Sequence, residues 1–215
     1  MIESIENALQ IVVLLVCAGA AVFRAAARKS RRWTLLFFFY GSWALGDLYW
    51  LVCLIFYDRT PQISVVSDVS WYASFIFLYM LLRHVAPPEG AREKRFLPWL
   101  GPLFAAGMAA FFMQWGGIAS NLIYAALMGL LLFSVIRRLL DRGRYADQQP
   151  FCITVLAFCL LEYALWTSSC FFSGDGLQNP YYWLDFLLTV CFVFFLPTVW
   201  RSLPAPAESG KEAAV

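Results

Sequence analysis

The strongest constraint on this chain is a succession of apolar segments, each long enough to cross a bilayer, joined by short polar stretches. A membrane-spanning helix needs about 20 consecutive apolar residues. Seven segments meet or approach that length: 5–27, 33–57, 63–83, 96–114, 118–138, 150–172 and 181–200. We therefore predict an all-α, polytopic membrane protein with seven transmembrane helices.

The composition supports the same class. The chain is 61% hydrophobic and only 14% charged, whereas a soluble domain is about 25% charged. Residues 1–202 are predicted to form one seven-helix transmembrane domain. Residues 203–215 show no apolar periodicity, and we expect them to form a disordered cytoplasmic tail.

The basic residues predict how the chain is oriented. Of its 16 lysines and arginines, 15 follow an odd-numbered segment, and only Arg59 lies on the other side. Cytoplasmic loops carry the excess of lysine and arginine, so we predict an external N-terminus and a cytoplasmic C-terminus. We expect a multi-pass protein of a bacterial cell membrane (the cytoplasmic or inner membrane), with the lipid bilayer as a partner. The net charge of +2 leaves no basic domain for nucleic acid.

The first three segments resemble the last three, which indicates an internal repeat. Asp47 and Asp68 are separated by 21 positions, and Glu162 and Asp185 by 23. Both units would run the same way across the membrane, because one additional segment lies between them. We predict two parallel three-helix units joined by a linker helix, a 3+1+3 arrangement.

This arrangement resembles a broad superfamily that includes SWEET-type sugar transporters, PQ-loop proteins, nicotinamide riboside transporters and microbial rhodopsins. Pro61-Gln62 is similar to the dipeptide after which PQ-loop proteins are named, although it stands at the start of the third segment. The resemblance covers all seven segments and implies a seven-helix bundle. Segment 181–200 contains no lysine, which excludes a retinal Schiff base of the rhodopsin type. We predict no cofactor.

Four acidic residues interrupt the apolar segments: Asp47, Asp68, Glu162 and Asp185. Ionisable residues inside a membrane are costly and indicate function. At 1.5 Å per residue, Asp47 and Glu162 lie roughly 18–21 Å from the cytoplasmic helix ends, and the other two lie nearer the external surface. We expect at least one of the deep pair to be protonated at neutral pH. The alternatives are that the acids link helices through hydrogen bonds, or that Asp68 and Asp185 cap helix starts.

Aromatic residues accompany these acids at helical spacing. A carboxylate beside aromatic ring faces suits a cationic or amine ligand, whereas the alternative is an interfacial aromatic belt. The predicted ligand-binding residues are Trp43, Asp47, Tyr49, Trp50, Asp68, Trp71, Glu162, Trp166 and Asp185.

The sequence shows no nucleophile–base pair and no nucleotide-binding loop. His84 is its one histidine, so we predict no metal site and no enzymatic activity. We predict a small-solute transporter, cationic or proton-coupled, with its site between the two units. The alternative is a seven-helix sensor or receptor-like module that signals through a cytoplasmic or membrane partner. A second copy of the chain is a further candidate partner.

Overall fold

The structure is a computed structural model that describes residues 2–57, 60–61, 65–87, 96–141, 143, 145–174 and 176–202. Within these ranges it is all-helical and has no strand. The predicted tail 203–215 lies outside the described residues. Seven α-helices follow one another: α1 Ile2–Arg28, α2 Arg31–Tyr57, α3 Val65–Val85, α4 Leu100–Phe112, α5 Ile118–Leu140, α6 Gln149–Phe171 and α7 Pro180–Arg201.

Six of the seven α-helices are long and apolar enough to cross a membrane. Large apolar side chains are exposed on every one of the seven, including Phe23 at 76% of its surface. Such extensive exposed apolar surface is characteristic of a lipid-facing exterior. The prediction of an α-helical membrane protein is therefore confirmed.

The fourth predicted segment differs from the others. A 3-10 turn, Leu97–Trp99, precedes α4, which has only 13 residues and rises about 20 Å. Pro98 lies in the 3-10 turn and Pro102 in the first turn of α4, where proline is tolerated. The helix ends at Phe112, before Gly116 and Gly117. It is shorter than the other six helices because the apolar segment is bounded by residues that start and stop a helix.

Six helices close a ring. Each of α1, α2, α3, α5, α6 and α7 packs against the next in that order, and α7 packs against α1. The short α4 packs mainly against α5, where Gly101 lies on Leu132. Aromatic rings fill the centre of the ring of helices: Phe39, Trp43, Phe75, Phe158, Phe192 and Phe195. We call these six residues the aromatic plug.

The two ends of the bundle differ in charge. At the basic end, α1, α3, α5 and α7 finish and α2 and α6 begin, and all the arginines that the structure describes lie there. At the opposite, acidic end lie Glu3 and Glu6 of α1. The helix α4 runs from the basic end to the acidic end, because Trp99 contacts Phe133 of α5 whereas Phe112 contacts Trp166 of α6.

Candidate functional site

Asp47 lies in the half of α2 nearer the acidic end and is only 3% exposed. Its Oδ1 accepts a hydrogen bond of 3.1 Å from Nε1 of Trp71 on α3. The Trp71 indole lies directly across Gly46, where a Cβ atom would stand 2.6 Å from Nε1. The other carboxyl oxygen of Asp47, Oδ2, is buried and has no hydrogen-bond partner. A glycine on α2 therefore allows an indole to hold one side of a buried carboxyl group.

Glu162 lies in the half of α6 nearer the acidic end and is also 3% exposed. Its Oε1 is buried without a hydrogen-bond partner. Glu162 lies close enough to Asp47 for the charges of the two carboxyl groups to interact. The structure thus brings together the two acids that the sequence placed deepest, one from each predicted unit. We call Asp47 and Glu162 the acid pair.

The other two predicted acids lie apart from each other. Asp185 on α7 is buried, and its Oδ1 accepts a 2.9 Å hydrogen bond from Nε2 of Gln10 on α1. The same Gln10 nitrogen lies 3.0 Å from the hydroxyl of Thr189, so Asp185 links two helices. It does not cap α7, because Asn179 holds that position and accepts from the Tyr181 amide. Asp68 is half-buried in the first turn of α3.

The predicted aromatic residues do not form a single cluster. Trp43 belongs to the aromatic plug and packs edge-on against Phe192, with ring centroids 5.0 Å apart. Trp50 shares a contact with Trp71 (6.0 Å) but donates its own hydrogen bond of 3.1 Å to Glu3 Oε1. Trp71, and not Trp50, therefore holds the Asp47 carboxyl group, and Trp50 contacts Trp71.

Trp166 lies on the Glu162 side of the site. It stacks on Tyr124 of α5, with ring centroids 5.1 Å apart and planes 25° apart. The Tyr124 hydroxyl lies beside the Glu162 carboxyl group, near enough for a weak side-chain interaction. Its geometry does not complete a hydrogen bond, so the hydroxyl and Glu162 Oε1 both stay unpartnered. Tyr49 lies beside Cys53 on α2.

Three further polar residues lie in this half of the bundle and were not predicted as site residues. Glu3 and Glu6 lie in the first two turns of α1, and Tyr181 at the start of α7 lies near enough to Glu3, Asp47 and Glu162 to interact with all three charges. The apolar pattern predicts a first segment that begins at residue 5, which leaves Glu3 outside it, whereas α1 begins at Ile2. The spacing of Glu3, Glu6 and Gln10, which puts them within one helical face, was the available signal.

Buried polar atoms without partners are concentrated in this half of the molecule. Among the described residues, seven side chains carry such atoms: Glu6, Trp33, Trp43, Asp47, Tyr124, Glu162 and Tyr163. Only Trp33 lies at the basic end; the other six lie between the middle of the bundle and its acidic end. Unsatisfied buried polar groups are few in native proteins, and each calls for an explanation such as a bound ion, water or a catalytic role.

The unpartnered carboxyl oxygens in this region can accept hydrogen bonds. Glu6 has two unpartnered carboxyl oxygens, and the acid pair adds one from each member. Within the described chain no His, Cys, Asp and Glu side chains form a group of three suited to a metal ion. Buried carboxyl groups without cations favour a bound proton or a cationic ligand that donates hydrogen bonds.

Comparison with known proteins adds no assignment. The chain matches no protein-family model, no curated protein and no solved structure. Any functional assignment therefore depends on the chemistry of the site itself.

Proposed function

We propose that this protein is a small-solute transporter of the cytoplasmic membrane, in which the acid pair takes up a proton or a small cation during each transport cycle. The observation that carries the proposal is the concentration of unpartnered buried polar atoms around Asp47 and Glu162. A purely structural contact would satisfy these atoms, because an unpaired buried polar group costs free energy. Carboxyl oxygens that the protein's own donors leave unsatisfied are available to take up a proton or to accept hydrogen bonds from a small cation.

The distribution of arginine supports an orientation for this transporter. The basic end carries Arg24, Arg28, Arg32, Arg83 and Arg138. By the positive-inside rule it faces the cytoplasm, and the acidic end faces outside. We propose that all seven helices then cross the membrane. The shorter α4 and the 3-10 turn Leu97–Trp99 before it would together return the chain from the cytoplasmic face to the outer face. The acid pair lies in the outer half.

The helix contacts support a 3+1+3 repeat. Exchanging α1, α2 and α3 for α5, α6 and α7 leaves the order of the ring unchanged. Polar contacts also bridge both seams between the two units. Gln10 of α1 bonds to Asp185 of α7, and Ser120 of α5 bonds to Tyr72 of α3. The acid pair then lies on the middle helices of the two units.

The aromatic plug would close the path from the acid pair to the cytoplasm. It lies toward the basic end of the acid pair, and each of its six rings is almost fully buried. A solute that reaches Asp47 and Glu162 from outside would be stopped there. Release to the cytoplasm would require the two units to rock apart around the plug, as in other transporters built from repeats.

The experiment is proton-coupled uptake in proteoliposomes containing a pH-sensitive dye, with methylammonium, guanidinium and choline as probe cations. We expect at least one probe to move protons in the wild type. The double variant Asp47→Asn, Glu162→Gln keeps the side-chain shapes but cannot exchange protons, so the flux should fall about tenfold or more. Asp147→Asn, an exposed acid at the basic end, is the matched control and should retain wild-type flux.

The melting temperature separates transport from folding in this test. Amides remove two buried carboxyl groups, so the double variant should melt at or above the wild-type temperature. Flux equal to the wild type for every probe that the wild type moves would refute the role of the acid pair. A wild type that moves none of the probes against a proton gradient would refute cation–proton coupling.

A sensor is the second candidate, and the aromatic plug is the observation that favours it. The plug residues come from α2, α3, α6 and α7, and their rings fill the centre of the bundle. Trp43, for example, packs edge-on against Phe192 and Phe158. A filled centre suits a bundle that changes shape without passing a solute. Purification from native membranes discriminates, since a stoichiometric cytoplasmic or membrane subunit would support signalling.

A further inference from the structure

Two arginines share one tryptophan ring at the basic end. The guanidinium carbons of Arg24 and Arg28, one turn apart on α1, each lie 4.2 Å from the ring centroid of Trp200 on α7. Arg24 also lies 5.0 Å from the ring of Trp33 on α2. We call Arg24, Arg28, Trp33 and Trp200 the arginine–tryptophan cluster. It joins the first, second and last helices of the bundle.

The cluster leaves its hydrogen-bond donors unused. Within the described chain neither Arg24 nor Arg28 has a carboxylate partner or donates a hydrogen bond, and their contacts are with ring faces. A guanidinium group carries five N–H donors in its plane. Contact with an aromatic face restrains the group and leaves the donors at its edge accessible, and such an edge matches the oxygens of a phosphate.

Two like charges held one turn apart repel each other. The aromatic face attracts each cation but does not neutralise either charge. A single anion that contacted both guanidinium groups would remove this repulsion. The helix-terminal position favours the cations, because the carbonyl end of α1 carries partial negative charge, but it supplies no full counter-charge.

The surroundings identify the anion as the headgroup of a lipid. Phe23, next to Arg24, is 76% exposed, and the exposed Trp200 lies in the last turn of α7. The arginines thus stand where an apolar surface meets the end of the helices, which is where headgroups lie. Tryptophan at this level is typical of the membrane interface, and basic residues at the cytoplasmic surface attract anionic lipids.

We propose that the arginine–tryptophan cluster binds the phosphate of one anionic phospholipid, with its acyl chains on the apolar surface beside Phe23. The bound lipid would hold α1 against α7, the contact that closes the ring of helices. This proposal concerns the basic end and does not depend on transport by the acid pair.

The test is native mass spectrometry of the full chain released from nanodiscs made of phosphatidylglycerol and phosphatidylcholine. We expect the wild type to retain one phosphatidylglycerol in preference to phosphatidylcholine. The variant Arg24→Gln, Arg28→Gln should bind it about 25-fold more weakly, at about fivefold for each arginine. Arg28→Gln alone removes an exposed side chain, so it tests the site without disturbing the core.

Arg83 is the matched control, because it also lies near an aromatic ring, that of Tyr79 at 5.9 Å, but has no second arginine on that ring. Arg83→Gln should leave retention unchanged. The proposal fails if Arg28→Gln retains the lipid as the wild type does, or if Arg83→Gln loses it equally. It also fails if inorganic phosphate displaces the lipid at equal concentration, since the site would then bind a free anion.

Discussion

The arginines at the basic end of this bundle and the acid pair nearer the acidic end differ in how fully they are hydrogen-bonded. At the basic end, the buried guanidinium of Arg138 donates Nε to the Ala86 carbonyl and an Nη to the Ser134 carbonyl, both at 2.6 Å. Arg32 likewise donates to the Ser202 carbonyl at 2.8 Å. At the acidic end, Asp47 and Glu162 each keep a buried carboxyl oxygen without a partner. The two arginines at the basic end are satisfied by backbone carbonyls, whereas the acid pair is satisfied only in part.

The difference separates stability from function. The Ala86 and Ser202 carbonyls follow the last turns of α3 and α7, where helices leave carbonyl groups unpaired. An arginine that pairs with such a carbonyl stabilises the helix end, and it needs no ligand to do so. Unpartnered carboxyl groups in the membrane destabilise the resting protein, a cost that is usual where a site must bind and release.

The largest effect is expected from Arg138, which is 4% exposed. Arg138→Met keeps the apolar stem but removes both hydrogen bonds and leaves the Ala86 carbonyl buried without its donor. We expect the free energy of unfolding to fall by about 3 kcal/mol, since bonds from charged donors contribute about 1.5–3 kcal/mol each. Denaturation in a mixed detergent titration measures the change.

Arg137 is the control for this comparison. It is the preceding residue on α5 and is half-buried, and among the described residues it donates no hydrogen bond to a backbone carbonyl. Arg137→Met should change the unfolding free energy by less than about 0.5 kcal/mol. Equal losses for the two variants would show that charge at this end matters, and not the satisfaction of the carbonyl groups.

A smaller effect is expected at the acidic end from Gly46→Ala. The added Cβ would stand 2.6 Å from Trp71 Nε1 and 2.9 Å from Cδ1, so the indole must move away from Asp47. Overpacking of this kind costs about 1–3 kcal/mol. Gly41→Ala on the same helix meets nothing within 4 Å and should be neutral or stabilise by up to about 1 kcal/mol. Tryptophan fluorescence should change in the first variant only, and a Gly46→Ala protein with wild-type stability would contradict the tight contact.

The sequence predicts the helices well because their signal is local. Apolar length alone located six helices able to cross a membrane, and the start of α7 followed from Asn179 and Pro180. The short α4 was harder to predict. Its flanking prolines and glycines were visible, but a 19-residue apolar window does not reveal that only 13 residues adopt the α-helix.

The candidate site was predictable only in part, because partners across helices depend on rotation and register. The spacing of Asp47 and Trp50 puts both on one face of α2, yet Trp50 reaches Glu3 and Trp71 reaches Asp47. Trp71 reaches Asp47 because Gly46 has no side chain to block the indole. This contact can be recognised only when the position of α3 is known. Spacing along one helix cannot supply a contact between two helices.

The smallest change in the free energy of unfolding is expected when either of two buried tyrosines is replaced by phenylalanine. The Tyr40 hydroxyl donates to the Phe192 carbonyl at 2.8 Å, whereas the Tyr163 hydroxyl has no partner. Tyr40→Phe should lower the free energy of unfolding by about 1 kcal/mol, the usual net contribution of a hydrogen bond. Tyr163→Phe removes an unsatisfied group and should leave stability unchanged or slightly raise it. If Tyr163→Phe instead costs as much as Tyr40→Phe, its hydroxyl is satisfied in the membrane, and the contrast between the two halves does not extend beyond the carboxyl groups.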